Sequence, residues 1–195
     1  MVKMSYCPTY NQVHDVADIT DASDVITEPV TVQEMKDFLR LEGFENDNDS
    51  GEFDFTSEDL LIAELITSAR EGLEKYCGVS IVNHTWRALI TNLAGDIELP
   101  FSNDGEIVEI TDCNGTEIED YEVRGIGFLF LESPYQTKMT VEYTAGYTTV
   151  PKRLKQAIMR DVAYHYENRN DEPGKIAEQA MVLAISFKRV STWLS

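Results

Sequence analysis

The chain has 195 residues, is 43% hydrophobic and 10% aromatic, and carries a formal charge of −19. Those values suit one globular domain, or a domain with an arm or sub-domain, and the acidity disfavours ordinary DNA binding because it repels a phosphate backbone. No apolar run reaches the length of roughly eighteen residues that a membrane span needs, and Met1 to Thr20 lack the basic-then-apolar order of a secretory signal.

The charge is unevenly spread. Residues 1–60 hold 15 acids and 3 bases, residues 61–150 hold 15 and 5, and residues 151–195 reverse the sign with 5 and 8. Cys7, Cys77 and Cys113 are odd in number and lack a C-x-x-C pair. Free thiols, with no zinc site and no disulfide framework, are expected.

Residues 1–29, ending at Pro29, show neither helical nor strand periodicity and read as an extended acidic arm, ordered only if something holds it. Thr31-Val32-Gln33-Glu34 is a capping-box pattern opening a helix over about 31–42, with Met35, Phe38 and Leu39 at helical spacing and Gly43 as its stop. Residues 45–55 are acidic and rich in Asn, Asp, Ser and Gly, as a solvated loop is. A second start signal, Thr56-Ser57-Glu58-Asp59, opens a helix over about 56–77. Its expected apolar stripe is Leu61, Leu65, Ala69, Leu73 and Tyr76, widened by Ile62 and Ile66, and Gly78 ends it. The interior Gly72 either admits another backbone or is merely tolerated, since Gly lowers helix propensity by about 1 kcal/mol.

From His84 the period switches to two. Strands are expected at 84–90, 96–99, 106–110, 121–123, 128–131 and 139–143, with turns at Asn103-Asp104-Gly105 and Asn114-Gly115. Pro151 stands where a helix accepts proline, and Leu154, Ile158, Val162 and Tyr166 mark a helix over about 151–170. Asp171-Glu172-Pro173-Gly174 breaks it. Lys175 to Phe187 reads as a last helix or partial helix, and the tail beyond it has a basic pair, Lys188-Arg189, followed by an apolar anchor, Trp193-Leu194.

Catalytic patterns are missing. The three histidines, His14, His84 and His165, have no second His or Cys at metal-ligand spacing. There is no nucleophile elbow, P-loop or dinucleotide fingerprint, and Gly125-Ile126-Gly127 has no following helix with which to cradle phosphate. Asp47, Asp49 and Glu52 share an acidic loop without meeting the calcium-loop pattern. Neither a cofactor nor a metal is expected.

Three stretches carry a resemblance. Leu60-Leu61-Ile62 and Ala69 through Gly78, followed by His84-Thr85-Trp86, resemble the second helix and first strand of phage head–tail connector proteins. Val141 through Tyr147, then Val150-Pro151, is similar to the strand-to-helix junction of that family. Leu154 through Ile158, leading to Tyr166-Glu167-Asn168-Arg169, resembles its last long helix. The likeness covers about residues 30 to 170 and continues weakly to the C-terminus; the long acidic arm and the acidic 45–55 loop depart from it. It implies a dodecameric homo-oligomeric ring below the portal protein, joined to the tail or the next neck protein, with genomic DNA passing through without specific binding. No catalysis and no membrane contact are implied, and the place of action is the virion.

The expected architecture is α+β: an acidic arm at 1–29, a connector domain at 30–174 with a small antiparallel β unit at about 84–144 set among helices, and a C-terminal helix and docking tail at 175–195. Portal docking is expected of Phe187, Lys188, Arg189, Trp193 and Leu194, because aromatic and arginine side chains dominate interface energetics. Inter-subunit contacts are expected of Arg70, Tyr164, His165 and Arg169. Two other functions stay open: an acidic DNA mimic or inhibitory binding protein, marked by acids arrayed on a folded surface, and a small hydrolase whose site the sequence hides.

Overall fold

The computed structural model describes residues 12–20, 26–41, 57–91, 96–124, 130–132, 138–169 and 175–189. The fold is α+β, as expected, and divides into two compact units. The β unit takes its described residues from Met1–Val25 and Asn83–Thr148, the helical unit from Ile26–Val82 and Thr149–Ser191. Residues 175–189 fall in the helical unit.

In the β unit, β1 (Gln12–Asp18), β2 (His84–Thr91), β4 (Glu106–Asp112) and β7 (Lys138–Ala145) form a sheet of order β1-β2-β7-β4. The strands β3 (Asp96–Glu98), β5 (Glu122–Arg124) and β6 (Phe130–Glu132) form a second sheet of order β3-β6-β5. All pairings are antiparallel. Strand β7 alternates strictly, burying Met139, Val141, Tyr143 and Ala145. Its partner sets Ala88 opposite Val141 and Ile90 opposite Met139, so one face of the central pair is a continuous apolar surface. Full burial of each such Val or Ile contributes roughly 1.5–3 kcal/mol.

The expected arm needs correction. Gln12–Asp18 is a strand, paired along its length with β2. Its period was invisible because the pairing slips between Val13 and Asp15: a bulge at His14 lets Val13 oppose Ile90 and Val16 oppose Ala88, three residues apart yet both packed on the core. Of the arm, residues 1–11 and 21–25 lie outside the described residues, as does the 45–55 loop.

The helical unit contains α1 (Val32–Leu39), α2 (Ser57–Cys77), α3 (Lys152–Glu167) and α4 (Glu178–Ala184), the last running into a 3-10 turn, Ile185–Phe187. The capping box on α1 is present in full: the Glu34 amide donates to the Thr31 hydroxyl at 3.1 Å, and the Thr31 amide donates to the Glu34 carboxylate at 2.9 Å. This helix ends earlier than Gly43, at Arg40 in the left-handed region with φ 55°. The Leu41 amide closes the turn on the Lys36 carbonyl at 3.1 Å. Gly78, with φ 69°, ends α2, and its amide donates to the Glu74 carbonyl at 2.8 Å.

The buried stripe of α2 is rotated from the expected one. Ile62, Ile66, Ala69, Leu73 and Cys77 are buried, with Asp59, Arg70 and Glu74 among them, while Leu61 and Leu65 are only half-buried. A Cβ at Gly72 would meet the Ile176 side chain at 3.5 Å, an ordinary contact, so no backbone approaches there.

Candidate functional site

Among the described residues no cluster of His, Cys, Asp and Glu is arranged to hold a metal, and no helix is long and apolar enough to cross a membrane. One grouping in the β unit has the right residue types for catalysis. The His84 Nδ1 lies 2.8 Å from Asp18 Oδ2 and 3.5 Å from Thr20 Oγ1. A nucleophile relay needs the carboxylate and the hydroxyl on opposite ring nitrogens; here both face the same one. The cluster is a clasp. The Thr20 hydroxyl donates to Asp18 at 2.6 Å and accepts from the Thr85 amide at 2.9 Å, fastening the end of β1 to β2. Burial pushes the Asp18 carboxyl up, but the Thr20 hydroxyl and amide together with His84 outweigh it and hold it below its ordinary value.

Beside the clasp, Trp86 and Phe101 stack with ring centroids 4.7 Å apart. Phe101 takes φ 52°, an uncommon conformation for a bulky residue. The Pro100 carbonyl before it accepts from the Tyr143 hydroxyl at 2.6 Å. Two residues beyond Asn103, the backbone at Gly105 comes so close to Thr144 that a Cβ would lie 2.0 Å from its carbonyl oxygen. The turn read at Asn103-Asp104-Gly105 is thus a tightly fixed knuckle. Asp104, Glu106, Glu109, Glu117, Glu119, Asp120 and Glu122 are all exposed.

The helical unit carries most of the residues singled out in the sequence. Arg70 is 3% exposed and held within its own unit, by Glu28 at 3.0 Å and Glu74 at 2.8 Å. Glu74 also accepts from the Ile81 amide at 2.7 Å, so the pair ties α2 to the segments on either side of it. Sequence reasoning missed this hub, although the i,i+4 spacing of Arg70 and Glu74 was a visible signal.

Tyr164, His165 and Arg169 cluster at the C-terminal end of α3. The Tyr164 and His165 rings meet edge-on at 5.3 Å, and the Arg169 guanidinium lies 5.1 Å from the centre of the Tyr166 ring. The His165 Nε2 donates to the Lys175 carbonyl at 2.7 Å, which fixes its tautomer because a carbonyl only accepts. Below it, Asp161 is 3% exposed and accepts from the Ala177 amide at 2.6 Å. Burial pushes its carboxyl above the ordinary value, with Ala177 and His165 acting in the opposite sense.

Together α2, α3 and residues 175–176 enclose a half-open groove of about 330 Å³. It is lined by the apolar Leu61, Leu65 and Ile176, by the polar Ser68, Asp161, His165 and Asn168, and by the exposed Arg169 and Lys175. The two leucines read as core are therefore groove wall.

The docking residues divide. Phe187 is half-buried at the end of the 3-10 turn, Lys188 places its ammonium 4.4 Å from the centre of the Tyr76 ring, and the Arg189 amide donates to the Cys77 carbonyl at 2.7 Å. The basic pair is thus seated on the end of its own α2, whereas Trp193 and Leu194 lie outside the described residues. Cys77 is buried beneath this seat, where burial pushes its thiol up to about 11; Cys113 is exposed.

A sequence profile of the head completion protein family matches residues 28–179. No curated protein matches the chain. Solved structures do. The chain is similar to one in the neck of an empty gene transfer agent particle computed with C6 symmetry, at 17% identity and a TM-score of 0.70, covering 93% of this chain and 99% of that one. It is also similar to one in the neck of the native particle computed with C12 symmetry, at 15% identity and a TM-score of 0.68, with coverage of 93% and 99%. A chain of the native gene transfer agent virion matches at 18% identity with a TM-score of 0.67, covering 92% of this chain and 98% of that one.

Proposed function

This chain belongs to the head completion protein family, and on that premise we propose that it is a ring-forming structural subunit of the neck joining the head of a tailed particle to its tail. Twelve copies close a ring below the portal protein. The tail, or the next neck protein, attaches on the other side, and the genome passes through without specific binding. The role is structural, with no reaction catalysed.

The observation that carries this reading is the family match, which runs from the residue before Pro29 into α4. Support comes from the similarity of fold to chains of neck particles with cyclic symmetry, along almost the whole length of both chains. The net charge of −19 suits a passage that must not hold DNA, since each neutralised phosphate would add affinity. Portal attachment is assigned to the C-terminal tail, with Trp193 and Leu194 as anchors and Phe187, Lys188 and Arg189 as the base that fixes the tail to α2.

Negative-stain imaging of the purified chain, alone and with portal-bearing heads, tests the reading. Rings at the head vertex are expected. Because Lys188 and Arg189 are seated on α2, the informative truncation removes residues 190–195 and spares the pair. The shortened chain should unfold at an unchanged temperature and fail to attach to heads. Normal attachment would remove the tail from the docking role.

The exposed carboxylates between Asp104 and Glu122 favour a second reading, a DNA mimic, because those charges lie in a folded unit and not only in the expected arm and loop. A monomer that displaces DNA from a basic enzyme and forms no ring at any concentration would establish that reading over the first.

A further inference from the structure

Portal attachment through the tail leaves two oppositely charged surfaces without a role. The first is on α3. Residues 151–160 contain four bases and no acid, in a chain of net charge −19. Lys152, Gln156 and Arg160 recur at four-residue spacing with Arg153 beside them, so they share one helical face, and all four are exposed. Among the described residues Lys152 and Arg153 make no ion pair. Cations in the first turn of a helix oppose its macrodipole, so local stability does not account for them.

The second surface is on β4, an outer strand of the four-stranded sheet. Glu106 pairs opposite Thr144 and Glu109 opposite Glu142, whereas Ile107 and Ile110 pair opposite the buried Tyr143 and Val141. Both carboxylates therefore stand on the sheet face turned away from the core, and both are exposed. Val108, at the bulge between them, is exposed as well. Residues 97–123 hold no lysine or arginine to neutralise this edge.

We infer that the cationic face of α3 on one copy docks against the Glu106–Glu109 edge of the next, an inference that rests on the ring proposed above. A closed ring needs two different, mutually complementary surfaces on every subunit. These two are opposite in sign, exposed in the single chain and present once per copy. DNA would match only the cations; a second copy matches both surfaces. Opposite potentials fix the register of the contact, and like charges reject the wrong one.

The test is a charge swap divided between two chains. One carries Lys152→Glu with Arg153→Glu, the other Glu106→Lys with Glu109→Lys. Either chain alone sets like charges against each other at every contact in the ring, and should give about tenfold fewer rings on portal-bearing heads than the parent. Mixed in equal amounts they can alternate, every contact is complementary again, and rings should return. Thermal unfolding separates this from misfolding: the first chain should unfold no lower than the parent, since acids suit a helix N-terminus, and the second at an unchanged temperature. Normal rings from either chain alone overturn the inference and leave the ring standing. A mixture as defective as its parts also overturns it, because the α3 face then meets some other acidic partner. Lowered unfolding of each chain, restored only when all four substitutions share one chain, overturns it in favour of a contact within one copy. Absence of rings from the parent at every concentration, with and without heads, overturns both readings together.

Discussion

The main buried cluster of the β unit, from Ala88 to Ala145, is apolar throughout except for the phenol of Tyr143. In the helical unit, four charged residues, Asp59, Arg70, Glu74 and Asp161, are buried alongside the apolar stripe. Among the described residues, the buried polar groups of the β unit are Ser102, Asn103 and His84. One unit is therefore specified by shape and by where its backbone can approach itself. The other is specified by which charges find which partners, so its stability depends more strongly on solution conditions.

Removing a charge from the helical unit should produce the largest effect. Arg70→Met leaves Glu74 buried without its cation and should cost about 3 kcal/mol or more, read as a lower midpoint in urea. A loss under about 1 kcal/mol would mean that the buried charges are solvated in practice, and the contrast between the units would dissolve.

Shape should dominate in the β unit. Gly105→Ala directs a Cβ into the Thr144 carbonyl and should cost about 1–3 kcal/mol, with the loss insensitive to pH and salt. The conformation at Gly105 is not left-handed, so the effect measures close approach alone.

Acid should separate the two units. Asp161 lies above its ordinary value of 3.8, so the folded state holds that proton more tightly than the unfolded chain does. Its carboxylate is a burden at neutral pH that is relieved as pH falls through its folded value toward 3.8. Asp161→Asn should therefore raise thermal stability at pH 7, with the advantage over the parent shrinking as pH approaches 3.8. The sign is opposite for Asp18, which lies below 3.8: its contribution is complete above that pH and is lost only as pH falls further, through its folded value. The smallest effect is expected at Gly72, where alanine has ordinary room against Ile176 and should gain about 1 kcal/mol from helix propensity.

The sequence carried the strictly periodic parts plainly. Strand β7 alternates without interruption, and the capping box at Thr31 is local chemistry, so both were readable from neighbours in the chain. What it concealed depended on contacts distant in sequence. Val13 and Val16 are one bulge out of phase, and only pairing with Ile90 and Ala88 shows why. Leu61 and Leu65 carry the same spacing as core residues, and nothing local distinguishes core from groove wall. The same holds for Arg70, whose i,i+4 partner is visible but whose burial depends on Glu28, 42 positions away.

The bulges have a consequence for many copies held side by side. In the four-stranded sheet the outer strands are β1 and β4, and each has a break in its pairing register, at His14 and at Val108. An unbroken edge offers a ladder of free amides and carbonyls to any similar strand nearby, the route by which crowded β proteins polymerise into fibres. A bulge on each flank twists that ladder out of register and leaves an unpaired residue in it. In the ring proposed above, the sheet would thus be guarded against runaway growth, and association would be left to side-chain contacts that close at a finite number.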